Sequence, residues 1–275
     1  ELGVPLAGGR FGRVLLDRRD AALRAADANV VVGEGMAARV RARGVAAERV
    51  RVIPNWCDDE EIQPVAPVAN PLRREWGLDH HFVVGYSGNL GRAHEIATML
   101  AAAERLRGDQ RFKFLFIGGG NGFRDLAAEV RDRRLGHLFA FFPYQDRSRL
   151  KFSLGVADVH LISLRPELEG LIVPSKLYGI AAAGRSIVAI AAADGDVARF
   201  VQRAGCGVVI APGAGELLAE ALRRLRADPG CVAEMGRRAR AALDADFTRR
   251  QAFARWRALI EEITAAPPHP VTRAV

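Results

Sequence analysis

A chain of 275 residues, 49% hydrophobic and only 7% aromatic, can bury a sizeable core of Ala, Val, Leu and Ile, which excludes a low-complexity or disordered polypeptide. Its formal net charge is +8, but 37 of the 40 basic residues are arginine, with no base-stacking aromatics interleaved, so nucleic-acid binding is not expected. Cys57, Cys206 and Cys231 lack CxxC spacing and a histidine cluster, and no apolar run of about 18 residues occurs, arguing against a disulfide framework, a zinc site and a transmembrane span.

Residues 14–27 carry apolar positions at helical spacing, and 28–35 form a short β-branched run ended by glycine. A second short helix, 35–44, leads to a strand at 49–55, giving an αβαβ fragment too small for a domain. The chain opens on Glu1 without a signal-peptide pattern, so residues 1–57 are expected to be the end of a truncated N-terminal domain. Acids, prolines and small residues then mark 58–71 as a linker.

Beyond it the alternation becomes regular. Strands are predicted at 81–88, 112–120, 138–142, 157–164, 185–191 and 207–212, and helices at 92–107, 122–134, 146–154, 175–183, 194–204 and 215–227. Strands alternating with helices of this length predict an α/β fold, a doubly wound parallel sheet over 72–244. Two more helices close the chain, the last reaching 264, before a tail at 266–275 that reads as disordered. Arginines such as Arg223, Arg224, Arg226, Arg237, Arg238 and Arg240 are placed on solvated helix faces.

In an open parallel sheet, ligands bind beyond the carboxyl ends of the strands. The loop 85–92, GYSGNLGR, follows one strand and precedes a helix, and 118–122, GGGNG, follows the next. Glycines admit close approach of a ligand to the backbone, and a helix N-terminus favours phosphate; the same glycines also suit a tight turn that serves only packing. The stretch 167–179, ELEGLIVPSKLYG, starts a helix at Pro174 or Ser175 and sets Glu169 and Gly170 in the loop above the sheet. There Glu169 can accept hydrogen bonds from sugar hydroxyls and Lys176 can neutralise a phosphate, or the glutamates simply complement the helix dipole.

From residue 26 to about 263 the sequence resembles the retaining nucleotide-sugar glycosyltransferases of family 4, which have the two-Rossmann GT-B fold. The resemblance rests on an ordered series: ADANVVV at 26–32, VIPNWCD at 52–58, YSGNLGR at 86–92, FIGGG at 116–120 and ADV at 157–159. It continues through 169–184, AGCG at 204–207 and MGRRAR at 235–240, and glycine at 179 with LRPE upstream at 164–167 is similar to the branch making bacterial surface polysaccharides, including O-antigen and colanic acid transferases. It implies a donor-binding domain at 72–244, a crossover helix at 245–265 returning to the acceptor half, and an N-terminal acceptor domain mostly outside this chain.

Carried over residue by residue, Gly88, Asn89 and Gly91 lie in the family's diphosphate loop, with Asn89 and His94 at positions where the family has arginine and lysine. Arg92 and Lys176 are the expected replacements. Glu169 matches the first of the family's paired glutamates, for sugar hydroxyls; the second, for ribose, falls at Gly179. Gly118, Gly119, Gly170, Leu171 and Ser175 complete the expected donor site, with Glu169, Lys176 and Arg92 as its catalytic residues and no metal or cofactor.

The implied activity is hexosyl or N-acetylhexosaminyl transfer, with retention, from a UDP- or GDP-sugar to a polysaccharide or lipid-linked acceptor. Two alternatives stand beside it: a nucleotide-binding module without turnover, and a sugar-nucleotide epimerase of the same fold. A cytoplasmic protein is expected. The basic amphipathic segment 10–24 either lies on the inner face of the membrane or packs in the acceptor domain.

Overall fold

The computed structural model describes residues 9–265, so the tail read as disordered, 266–275, lies outside the described residues. In chain order the elements are α1 (Gly9–Ala25), β1 (Asn29–Val31), α2 (Glu34–Arg41), β2 (Val50–Val52), α3 (Pro71–Glu75), β3 (Phe82–Asn89), α4 (Ala97–Arg105) and β4 (Phe112–Gly119). There follow α5 (Asn121–Asp132), β5 (Phe139–Phe142), α6 (Leu150–Gly155), β6 (Val159–Ser163), α7 (Lys176–Ala182) and β7 (Ser186–Ile190). The chain closes with α8 (Asp196–Ala204), β8 (Gly207–Ile210), α9 (Gly215–Ala227), α10 (Pro229–Asp246) and α11 (Arg249–Ala265). None of the described helices is long and apolar enough to cross a membrane.

The described residues form two compact units, residues 9–54 with 252–265 and residues 55–251. In the smaller unit β1 and β2 pair in parallel, which requires the crossover that α2 supplies. Val31, Ala37, Val45 and Val50 form its core. Arg51 pairs there with Glu262 of α11.

The larger unit is built on a six-stranded sheet of order β5-β4-β3-β6-β7-β8, parallel throughout. Side chains alternate across a strand, so one face carries Val84, Tyr86, Phe112, Phe114 and Phe116 into a core with Leu100, Leu126 and Leu222 of the covering helices. The opposite face packs Ile162, Ile187 and Ala189 under α7, α8 and α10, with Val83, Leu115 and Ile117 in a cluster beside them. Because both faces are covered, β6 and β7 are buried at every position.

Three sequence expectations change. The stretch read as a linker, 58–71, belongs to the larger unit: Ile62 is buried in the α7–α10 core, and Asn70 caps α3 by accepting Leu72 N–H at 3.0 Å. Composition concealed this, since one well-placed apolar residue suffices to anchor a segment rich in acids and prolines. Arg240 is no solvated residue; its guanidinium donates to the carbonyls of Ile62 at 3.0 Å and Ala182 at 2.9 Å, tying that segment to the end of α7.

The helix expected from residue 92 begins only at Ala97, where Glu95 accepts Thr98 N–H at 3.0 Å. The residues between are occupied elsewhere. Leu90 N–H donates to Gly119 O at 2.8 Å and Arg165 N–H to Ala93 O at 3.0 Å, so this segment stitches the loops after β4 and β6 together.

Candidate functional site

From β3 the chain runs outward through β4 and β5, then returns to place β6 on the other side of β3. The connections therefore diverge between β3 and β6, and a crevice opens above their carboxyl ends. A cavity of about 520 Å3 lies there, lined by Ser87, Gly88, Asn89 and His94 on one side and Ser175, Lys176 and Gly179 on the other. Leu150, Leu154 and Ile172 make part of its apolar wall. Two glycines allow the strand ends to meet: Gly118 has φ +138°, and a Cβ on it would stand 2.2 Å from the carbonyl oxygen of Gly88.

Lys176 is the one charged side chain among the residues lining this cavity. Its ammonium lies over the Tyr86 ring, 3.8 Å from the centroid, donates to the Tyr86 hydroxyl at 2.5 Å, and stands 3.4 Å from His94 Nε2. The Tyr86 hydroxyl in turn donates to Asn89 O at 2.7 Å. His94 Nδ1 is 2.9 Å from Ser163 O, so the tautomer satisfying both contacts carries its proton on Nδ1 and offers Nε2 to the lysine. Every partner of this ammonium is neutral.

Burial without a carboxylate lowers the Lys176 pKa to about 7. Burial, and then the lysine's charge, lower His94 to about 4, keeping its imidazole neutral at physiological pH. Cys57 also lines the cavity, but burial and then Asp59 push its thiol up to about 12, so it is no nucleophile near neutrality.

Of the residues expected from sequence, Gly88, Asn89, His94, Ser175, Lys176 and Gly179 meet around the cavity. Arg92, exposed, and Gly91, half-buried, lie on the loop outside its lining. Gly118 and Gly119 stand behind, the first against Gly88 and the second under the Tyr144 ring, which a Cβ there would approach to 3.1 Å. Ser175 occupies the N-cap position of α7 without a side-chain capping bond, and the Leu177 N–H is already taken by Pro174 O at 3.2 Å.

Glu169 is directed at α8. Its carboxylate packs on Gly195, where a Cβ would come within 2.3 Å of Oε1, and accepts the Asp196 N–H, while burial raises its pKa. Gly170 is buried with φ +72°, and Leu171 N–H closes the turn on Leu168 O at 3.0 Å. Gly179 has room: a Cβ there meets only Leu154 Cδ1, at 3.5 Å.

Sequence reasoning missed Tyr86, the centre of the arrangement. Alternation along β3 places it with the core residues, and its hydroxyl gains meaning only from a lysine 90 positions later. It also missed Ser163, whose carbonyl fixes the His94 ring. Among the described residues, no group of three or more His, Cys, Asp or Glu side chains could hold a metal ion.

Residues 70–242 match the family model of glycosyl transferases group 1. The chain is 30% identical over 230 residues to WcaI of Escherichia coli (strain K12), named as a colanic acid biosynthesis glycosyl transferase, covering 81% of this chain and 56% of that protein. It thus spans about half the length of this curated relative. Among solved structures, sucrose-phosphate synthase from Thermosynechococcus elongatus superposes with a TM-score of 0.78 at 22% identity, over 97% of this chain and 65% of that one. Anabaena Alr3699/HepE in complex with UDP gives 0.76 at 17% identity, over 94% and 69%. The parallel sheet, its switch-point crevice and these matches lead to one assignment: the chain belongs to the glycosyl transferases group 1 family, with the α/β fold of GT-B enzymes.

Proposed function

We propose that the protein transfers a sugar from a UDP- or GDP-linked donor to a polysaccharide or lipid-linked acceptor, with retention of configuration. The observation that carries this reading is Lys176, a buried ammonium with neutral partners facing the crevice. Its lowering from 10.5 to about 7 corresponds to a penalty of roughly 5 kcal/mol on the charged form, at about 1.36 kcal/mol per unit. One negative charge about 4 Å away returns roughly 4 kcal/mol at an effective dielectric near 20, and a diphosphate carries at least two. An anionic ligand therefore completes the site, and HepE, which shares the fold, has been solved with UDP.

In the proposed reaction the bond between the anomeric carbon and the diphosphate oxygen breaks. The acceptor oxygen bonds to the same face of that carbon, and its proton passes to the departing phosphate. The protein's part is electrostatic: Lys176, with Arg92 on the adjoining loop, stabilises charge on the leaving diphosphate, and Gly88 and Asn89 let it approach the backbone. We assign Glu169, held by the first amide of α8, to the sugar hydroxyls, and the Gly179 end of the cavity to ribose. The acceptor is met by residues largely outside this chain, on a protein that works in the cytoplasm with peripheral contact at the membrane face.

Radiolabelled UDP- and GDP-sugars incubated with the full-length protein and membrane lipid acceptors test the reading. Transfer of label to lipid is expected. Nucleotide binding by full-length protein with no transfer and no epimerised donor would leave a binding module, and epimerised donor without transfer would favour the epimerase.

A further inference from the structure

A second cavity, of about 420 Å3, opens at the opposite end of the sheet, where Phe82 begins β3 and Ser186 begins β7. Buried polar atoms without a hydrogen-bond partner are few in a folded chain, and each calls for an explanation. Three of them, Arg185 Nε, Arg226 Nε and His81 Nδ1, belong to residues in the wall of this single cavity.

The nearby carboxylates are already committed. Asp158 holds Arg73 at 2.9 Å and accepts Val83 N–H at 2.7 Å. Asp109 holds Arg111 through Nε at 2.7 Å and Nη2 at 2.8 Å, leaving Arg226 Nη2 at 3.9 Å. Arg185 Nη2 reaches only the carbonyl oxygens of Val65 and Gly155. Asp79 stands exposed at the rim.

Among the charged residues in the wall, Arg111, Arg185 and Arg226 outnumber Asp79 and Asp158. His81 lies below its ordinary pKa through burial and then through Lys113, His80 and Arg73. The first residues of the 18-residue helix α10, Pro229, Val232 and Ala233, add to the same wall, and Asp228 caps that helix end by accepting Cys231 N–H at 2.9 Å.

A guanidinium short of acceptors suits an oxyanion, and two such groups belong to the wall of this cavity. The cavity is larger than a bare phosphate, and Phe82 and Val232 give it an apolar side. We infer that this cavity is a second anion site, distinct from the nucleotide crevice, which binds a phosphate dianion, free or as a small monoester, with Arg185 and Arg226 as its main ligands. The inference stands without the transferase reading, because no residue lines both cavities.

Calorimetric titration of the full chain with inorganic phosphate and with glycerol 3-phosphate, at constant ionic strength and with saturating UDP present, tests it. Saturable binding is expected, weakened at least about tenfold in Arg226→Gln, whose side chain is 26% exposed and so tolerates exchange. Arg185→Gln should act likewise; if it unfolds, Arg226→Gln carries the test. Tighter binding of the ester identifies an organic phosphate as the ligand, and equal binding identifies free phosphate. Absence of saturable binding, an equal heat from chloride, or unchanged affinity in Arg226→Gln overturns the inference.

Discussion

At the carboxyl ends of the strands, one ammonium is held by a phenol, an imidazole and an aromatic face, with no carboxylate among the residues lining the cavity. At the amino ends one cation, Arg73, is handled differently. Arg73, with a side chain 7% exposed, donates to Asp158 and to the carbonyls of Val156, Leu78 and His81, so this cation is nearly saturated. A saturated ion pair fixes geometry, whereas a cation left with neutral partners stores unfavourable energy that an anion releases. The difference separates the Arg73 ion pair, which serves folding, from the Lys176 ammonium, for which binding is proposed, within one sheet.

The comparison breaks most visibly in stability. Asp158→Ala strands Arg73 without its carboxylate and should remove about 3–5 kcal/mol of unfolding free energy in urea denaturation. UDP affinity of the folded fraction should stay within about twofold, since Asp158 lies outside the crevice. A loss below about 1 kcal/mol would show that the pair is not structural.

The reverse pattern is expected of Lys176→Met. UDP should bind about 100-fold more weakly and uridine within about threefold, because only the charge-assisted contact is removed. Equal losses for nucleotide and nucleoside reject the diphosphate role.

The pH dependence sharpens the same contrast. Free Lys176 titrates at about 7, and a bound diphosphate holds it protonated, so affinity should fall by about tenfold per pH unit above 7. For folding the sign is opposite to that of a lysine held in an ion pair. Between about 7 and its ordinary value the unfolded lysine binds a proton that the folded one does not, so this residue makes the protein more stable as pH rises. Lys176→Met should abolish both slopes.

The smallest expected effect is at Gly179. Glutamate fits there, since a Cβ meets only Leu154 Cδ1 at 3.5 Å, and should raise the preference for UDP over 2′-deoxy-UDP from near unity to about threefold. An unchanged ratio in competition binding places ribose elsewhere.

The strand and helix alternation was legible because it is local: Phe112, Phe114 and Phe116 alternate with Lys113 and Leu115 within one strand, whatever lies around them. Gly88, His94 and Lys176 could be picked out by residue type and position after strands. The late start of α4 was hidden, because residues 90–96 are held by Gly119, Ser163 and Arg165, all distant in sequence. Tyr86 was hidden for the same reason, and so was the anchoring of residues 58–71 through Ile62 and Arg240. Glu169 shows a further limit: its type suggests a ligand, but whether the nearest donor is a sugar or the Asp196 amide depends on where α8 begins.

The ammonium of Lys176 sits over the ring of Tyr86, and an ion so placed shifts the energy of the ring's electronic transition. Any ligand that draws the ammonium toward itself, or changes its protonation, alters that shift. The crevice thus contains its own chromophore, and near-ultraviolet difference spectroscopy can follow occupancy there without a label.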